Sequence, residues 1–281
     1  MKALTQSVLA AAMLMALPFA SAEACNKNAW LGNQAAAAGA LASGPELPAG
    51  NTNKIPRYSG KCAVKTSAGQ FVTDNTPSAE ATYRARFYVY TSTTGKFFTA
   101  TASDDSAGAE IVGVSFDGSA FNFSGPSGLS GSAPAVPNRW YSIEILHQSG
   151  GAFSASVQGA NATTASTVTG TSATGSVGSA AIGFIGAGSG SFVLDEFEST
   201  RSATTAIGRK CRGNANGTDT IISLADRIQI GNEINGAVTG TGVAIGQPDF
   251  NEDGIVSLAD RTLVAQIISS NQGGTFCGGV N

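Results

Sequence analysis

Between residues 83 and 200 apolar side chains return at every second position. Tyr83, Ala85, Phe87 and Val89 alternate with Arg84, Arg86, Tyr88 and Tyr90, the period of a strand with one face in a core. Runs of the same kind follow at 97–102, 111–116, 120–123, 140–147, 153–158, 180–185 and 192–197, separated by clusters of Gly, Ser, Asp and Pro. Many short strands with such punctuation predict a mainly β chain built as an antiparallel sandwich over residues 23–202. Beyond residue 210 the pattern becomes helical: Ile228, Ile230 and Ile234 form one apolar set, and Leu263, Val264, Ile267 and Ile268 another. Residues 203–210 read as the linker to this small second module, residues 211–281.

A loop precedes each helical stretch. Asp249, Asn251, Asp253, Ser257 and Asp260 occupy positions 1, 3, 5, 9 and 12 of a twelve-residue run with Gly254 at position 6. That is the oxygen spacing of an EF-hand calcium loop, in which the residue at position 7, here Ile255, lends its carbonyl and the glycine permits the sharp turn. A second copy lies upstream: Ser223-Leu224-Ala225-Asp226-Arg227 recurs as Ser257-Leu258-Ala259-Asp260-Arg261. Counted from Asn214 to Asp226 the upstream loop has thirteen residues, one too many. Asn214 and Asn216 suit positions 1 and 3, Ser223 and Asp226 the closing positions, and Asp219 arrives one residue late. Fewer carboxylates mean weaker binding, so the upstream loop is expected to be the weaker calcium site.

Two calcium loops, each followed by a helix, resemble a type I dockerin over residues 211–277, about a quarter of the chain. The resemblance implies calcium as cofactor and a cohesin-like protein as partner. It also implies a docking face at loop positions 10 and 11 and on the helix that follows: Leu224, Ala225 and Arg227 in the first repeat, Leu258, Ala259 and Arg261 in the second. The alternative is that Leu224 and Leu258 pack inside the module.

The chain start reads as a secretory signal peptide over residues 1–22: basic Lys2, an apolar stretch from Val8 to Leu17, and Ala20-Ser21-Ala22 as a cleavage site. A secreted or extracellular location, free or associated with a cell surface, is expected, with no segment long enough to span a membrane. Export makes the four cysteines candidates for disulfides. Of the three pairings, Cys25–Cys62 and Cys211–Cys277 are preferred, the second because it brackets the module. Charged residues make up 12% of the chain and the net charge is −3, so no basic field exists to attract nucleic acid.

A Trp140-Tyr141 strand, a short hairpin and a closing Phe192-Val193-Leu194-Asp195-Glu196-Phe197 strand resemble the concanavalin-A-like and laminin-G-like jelly rolls of secreted proteins. Such domains often bind glycans, and Tyr88, Tyr90, Arg84 and Arg86 share the strand face expected to be wet, so they are the candidate ligand surface. Tyr83 and Tyr141 are further aromatic candidates; the alternative is that these rings pack. Asp104, Asp105 and Asp117 are candidates for a rim calcium site. The acids Glu110, Glu144, Asp195, Glu196 and Glu198 offer no glucanase-type strand, Glu196 and Glu198 reading as one solvated face, and His147 has no nucleophile elbow beside it. The expectation is a secreted, non-catalytic sandwich that binds glycan or a surface polymer and docks through its calcium module, in polysaccharide breakdown or adhesion. The competing expectation is a polysaccharide-degrading glycoside hydrolase that carries the same module.

Overall fold

The structure is a computed structural model. It describes residues 41–43, 56–60, 62–74, 76–102, 108–159, 164–217, 221–239, 244 and 246–270. The signal peptide, Cys25, Cys277, Asp104, Asp105 and Asp219 lie outside these residues. Thirteen strands occur among them: β1 (Leu41–Ser43), β2 (Cys62–Ser67), β3 (Phe71–Asp74), β4 (Thr82–Thr91), β5 (Gly95–Thr101), β6 (Glu110–Phe116), β7 (Ala120–Gly125), β8 (Leu129–Pro134), β9 (Trp140–Gln148), β10 (Ala152–Gly159), β11 (Ser166–Thr171), β12 (Ser179–Ile185) and β13 (Ser191–Thr200). Two helices follow, α1 (Leu224–Thr239) and α2 (Leu258–Ser269). Neither is long and apolar enough to cross a membrane.

The strands form two antiparallel sheets, one of seven strands in the order β1-β2-β13-β4-β9-β10-β11 and one of six in the order β3-β12-β5-β6-β7-β8. The expected sandwich is therefore present. Its core is aromatic. Phe87 of the seven-stranded sheet stacks on Phe98 of the other at 5.0 Å. Phe97 meets Phe192 at 5.2 Å and Phe121 at 5.6 Å. Consecutive residues of a regular strand point to opposite faces; an irregularity between Lys96 and Phe98 in the β5–β6 register lets both rings turn inward.

The other face of the seven-stranded sheet is where the structure departs from the sequence reading. Tyr88, Trp140 and Val193 lie on it and form a second small core with Tyr58 and Ala63. Tyr58 stacks on Tyr88 with ring centroids 3.5 Å apart and stands edge-on to Trp140 at 5.7 Å. The segment 201–210 is not a free linker but a strap tied across this face. Arg84 donates to the carbonyls of Ser202 and Ala203, Glu144 accepts from the amides of Ile207 and Gly208, and the Tyr88 hydroxyl accepts from the Lys210 amide at 2.7 Å. The strap leads into the C-terminal module, whose own core gathers Ala215, Ile222, Ile230, Phe250 and Val264.

Candidate functional site

The site is built from the loops that precede α1 and α2. In the downstream loop Asp249 accepts from the amides of Asp253 at 3.1 Å and Gly254 at 2.7 Å. Gly254 has φ +87°, the left-handed turn that its position demands. A side chain there would meet the Tyr90 ring at 2.5 Å. Asp260 closes the loop: its Oδ1 accepts from the Asn251 amide at 3.1 Å and its Oδ2 from the Ser257 amide at 2.8 Å. Ser257 and Asp260 thereby form the capping box that starts α2.

The upstream loop repeats the closing bonds of this frame. Asp226 Oδ1 accepts from the Asn216 amide at 3.0 Å and Oδ2 from the Ser223 amide at 2.7 Å. Asn214 accepts from the Gly217 amide at 2.9 Å. Asn216 thus stands where Asn251 does, and Asp226 where Asp260 does. The extra residue falls between 217 and 222, a stretch that includes Asp219 and the other undescribed positions.

The two loops differ in charge. Downstream, Asp249 and Asp260 are buried. Burial holds the Asp249 carboxyl well above the usual carboxylate range, and Asp260, Asp253 and Glu252 push it the same way. Burial also raises Asp260, with Asp253 adding to it. The charged side chains that raise Asp249 are acidic, and of them Glu252 is paired with Arg209. Among the described residues no three His, Cys, Asp or Glu side chains are drawn together as closely as around an ion. The donor set here is wider than carboxylates, because Asn251, Ser257 and the Ile255 carbonyl belong to it. Hard oxygen donors with the carboxylates of Asp249, Asp253 and Asp260 among them suit a calcium ion. Upstream, Asp226 is the sole carboxylate among the described donors Asn214, Asn216, Ser223 and Asp226.

The proposed docking residues fall into two groups. Leu224 and Leu258 are 57% and 64% exposed, and Ala225 and Ala259 are exposed beside them, so the leucines do not pack inside the module. Three isoleucines that the sequence reading did not assign to this face, Ile221, Ile228 and Ile255, are also exposed. A signal for them existed. Leu224 and Ile228 are i, i+4 neighbours on one helix face, while Ile230 belongs to the buried face. Arg227 and Arg261 behave differently. Both are half-buried, and each has a buried Nε without a hydrogen-bond partner. Arg261 lies against Gly231 of α1, so it serves the helix crossing as well as any outer face.

The candidate ligand surface on the sandwich is corrected. Tyr88 and Arg86 are buried and Arg84 and Tyr90 half-buried, because the strap, the 56–60 segment and the downstream loop cover that face. Arg84 pairs with Glu144 at 2.6 Å and Arg86 with Glu198 at 2.7 Å, and Tyr90 leans on Trp140 at 5.5 Å. Tyr83 is in the main core, and half-buried Tyr141 accepts from the Val136 amide. The acids are engaged too. Glu110 pairs with Lys96 and Glu196 with Lys210. Glu196 and Glu198 do not form one solvated face: an irregularity in β13 between Asp195 and Glu198, with Glu196 at φ +52°, breaks the alternation there. It turns Asp195 inward to accept from the amides of Tyr58 at 2.7 Å and Ser59 at 3.1 Å. Burial, with Glu196 beside it, pushes Asp195 up to about 7. His147 is buried with Nε2 at 2.9 Å from the Gly175 carbonyl. Asp117 caps its own turn through Ser119, Ala120 and Asn122, which lowers its pKa. Cys211 is disulfide-bonded; Cys25, Cys277 and the Cys62 side chain, and hence the pairing, lie outside the described residues.

No family model matches the chain, and no curated protein matches it. Among solved structures it is similar to the binding domain of botulinum neurotoxin serotype G, with 12% identity over 57% of this chain and 43% of that one at a TM-score of 0.37. It is also similar to the exoplasmic/lumenal domain of VIP36 in a Ca2+/Man3GlcNAc-bound form, with 9% identity over 54% and 79% of the two chains at a TM-score of 0.36. A third is domain 4 of AbnA, a GH43 extracellular arabinanase from Geobacillus stearothermophilus in complex with arabinotriose, with 15% identity over 57% and 80% at a TM-score of 0.35. This chain spans less than half the length of the neurotoxin domain. Likeness this loose carries no functional argument, and the sandwich stands on its own strand pairing.

Proposed function

We propose that this chain is an exported, calcium-stabilised docking protein: a β-sandwich that carries a dockerin-like module with two calcium loops and a doubled aliphatic rim for a protein partner. The observation that carries the reading is the repeat itself. Two loops share one hydrogen-bond frame around Asp226 and Asp260, and each presents an exposed Leu-Ala pair at the same position. Single exposed aliphatic side chains are ordinary, but several gathered at the same place in both repeats, Leu224, Ile228, Leu258 and Ile255, support a contact surface. The rim suits a partner with an apolar patch, a cohesin-like protein being what the dockerin resemblance implies.

In the downstream loop Asp249, Asn251, Asp253, Ser257, Asp260 and the Ile255 carbonyl would hold calcium. In the upstream loop Asn214, Asn216, Ser223 and Asp226 would do so, joined by Asp219. A bound calcium ion supplies charge compensation and a fixed loop. The Ser257 and Asp260 caps then hold α2 at the angle that presents Leu258. Sugar stacking on the sandwich has less support: the five tyrosines and Trp140 are buried or half-buried.

Calcium titration of the full mature chain by calorimetry tests the reading. Asp260→Ala is expected to remove the tighter of two sites and Asp226→Ala the weaker. Absence of binding heat in the wild type overturns the calcium assignment. Leu224→Asp combined with Leu258→Asp is expected to abolish capture of a partner from the secreted fraction with both calcium sites intact. Equal capture by wild type and double variant overturns the docking face.

A further inference from the structure

Calcium-loop chemistry does not explain Glu252. It sits at position 4 of the downstream loop, which is not a ligand position. It is nonetheless fully buried, and its backbone is left-handed at φ +56°. The upstream loop supplies an internal control. Its position 4 is Gly217, also left-handed at φ +63°. Glycine adopts that conformation without strain, and glutamate does not. The chain has placed the costlier residue where its own repeat uses the easier one.

The compensation comes from the sandwich. Glu252 Oε1 accepts from the Tyr58 hydroxyl at 2.8 Å and from Arg209. The Glu252 carbonyl accepts from the Trp140 amide at 3.0 Å, and Arg139 donates to the neighbouring Asn251 carbonyl at 3.3 Å. Tyr58 in turn belongs to the 56–60 segment, wedged between the two parts. Its amide is held by Asp195 of the sandwich, and the adjacent Arg57 pairs with Glu233 of α1 at 2.5 Å in a buried contact. Gly217 has no side chain with which to make such a contact.

We propose that Glu252 is a positioning residue that clasps the downstream calcium loop to the sandwich, so that filling this loop tightens the clasp and the clasp in turn holds the loop ready for calcium. This rests on the calcium reading above. Linkage requires the effect to run both ways with equal size. The upstream loop has no side chain at the matching position, so the direct clasp belongs to the downstream loop; the upstream loop reaches it through the backbone bonds of Gly213, Asn214 and Ala215 with Gly246 and Gln247. The two repeats thereby take different roles although their rims match.

The test uses the full mature chain with Trp30→Phe as background, so that Trp140 is the remaining tryptophan. Amide exchange at Tyr58 and Ser59 and Trp140 emission are followed with calcium and with chelator. Calcium is expected to slow exchange at both amides and shift the emission. Glu252→Gly, which copies the upstream loop, is expected to weaken the downstream site about tenfold, change the upstream site less and abolish the response at Tyr58 and Ser59. Tyr58→Phe leaves the loop sequence intact and is expected to act in the same direction to a smaller degree. Calcium binding with no response at Tyr58 and Ser59 in the wild type overturns the clasp and spares the calcium reading. Absence of calcium binding overturns both. An undiminished downstream affinity in Glu252→Gly and Tyr58→Phe also overturns the clasp.

Discussion

The two faces of the seven-stranded sheet are buried by different means. The inner face meets the six-stranded sheet through Phe87, Val89, Ile143 and Ile145, side chains that need only volume and apolar contact. The outer face carries Arg84, Arg86, Tyr88, Tyr90 and Glu144, which look like surface residues and are covered by the chain's own later segments. There the covering segments supply partners: Arg84 meets Glu144 and two strap carbonyls, Tyr88 the Lys210 amide, and Arg86 Glu198, while Arg86 Nε and Nη1 and Trp140 Nε1 stay without one. Unmatched buried polar groups cost about 1–3 kcal/mol each, so such a face is built only when the partner segment is fixed. A polar row on a strand is therefore no proof of a wet face.

The comparison breaks first at its aromatic pair. Phe87→Ala on the inner face is expected to cost about 3–5 kcal/mol. If the outer face is truly interior, Tyr88→Ala must cost a similar amount, about 3 kcal/mol or more, since it also strands the Lys210 amide. Denaturant unfolding measures both. A loss under about 0.5 kcal/mol for Tyr88→Ala, the usual figure for a surface site, would mean the face is open.

Acidity sharpens the same point through Asp195. Its pKa is pushed from the ordinary 3.8 up to about 7 in the folded protein. Between those values the folded chain keeps a proton that the unfolded chain releases. Its contribution to stability therefore falls as pH rises from about 4 to 7 and is flat above that. Glu196, paired with Lys210, is the charged neighbour that adds to the shift. Asp195→Asn, whose amide oxygen still accepts from Tyr58 and Ser59, is expected to flatten this slope in a pH series of melting curves. An unaltered slope contradicts the burial of Asp195.

Smaller effects are expected further along the strap and at the rim. Glu144→Gln keeps an acceptor for one strap amide, strands the other and weakens the pair with Arg84; a loss of about 1–3 kcal/mol is expected in unfolding experiments. Leu258→Asp replaces a side chain 64% exposed and is expected to change stability by no more than about 0.5 kcal/mol. A larger loss would place Leu258 in a contact within the chain rather than on a docking rim.

The sequence carried the inner face well, because alternation directly reports which side of a strand is apolar. Eight of the thirteen strands were legible from it. The other five, β1, β2, β3, β8 and β11, are short or rich in Ser, Thr, Gly and Ala. In β11, Val168 is the only buried residue. The repeat was legible because the Ser-Leu-Ala-Asp-Arg motif recurs within the chain itself, and the structure gives both copies the same bond, Asn216 to Asp226 and Asn251 to Asp260. The outer face was not, because its partners are distant. Arg84 finds Ser202 and Tyr58 finds Glu252 across 118 and 194 residues, and no local pattern announces such a meeting. Nor did periodicity foresee the irregularity in β13 that turns Asp195 beneath the 56–60 segment.

The central proposal, a module held by calcium and seated on the sandwich, is tested most directly by scanning calorimetry of the full mature chain with calcium and with chelator. Calcium at about 100 times its Kd adds about 2.7 kcal/mol, and the prediction is one cooperative transition whose Tm falls by about 5–10 °C on chelation. Two separate transitions, with the sandwich melting at the same temperature in calcium and in chelator, would contradict it.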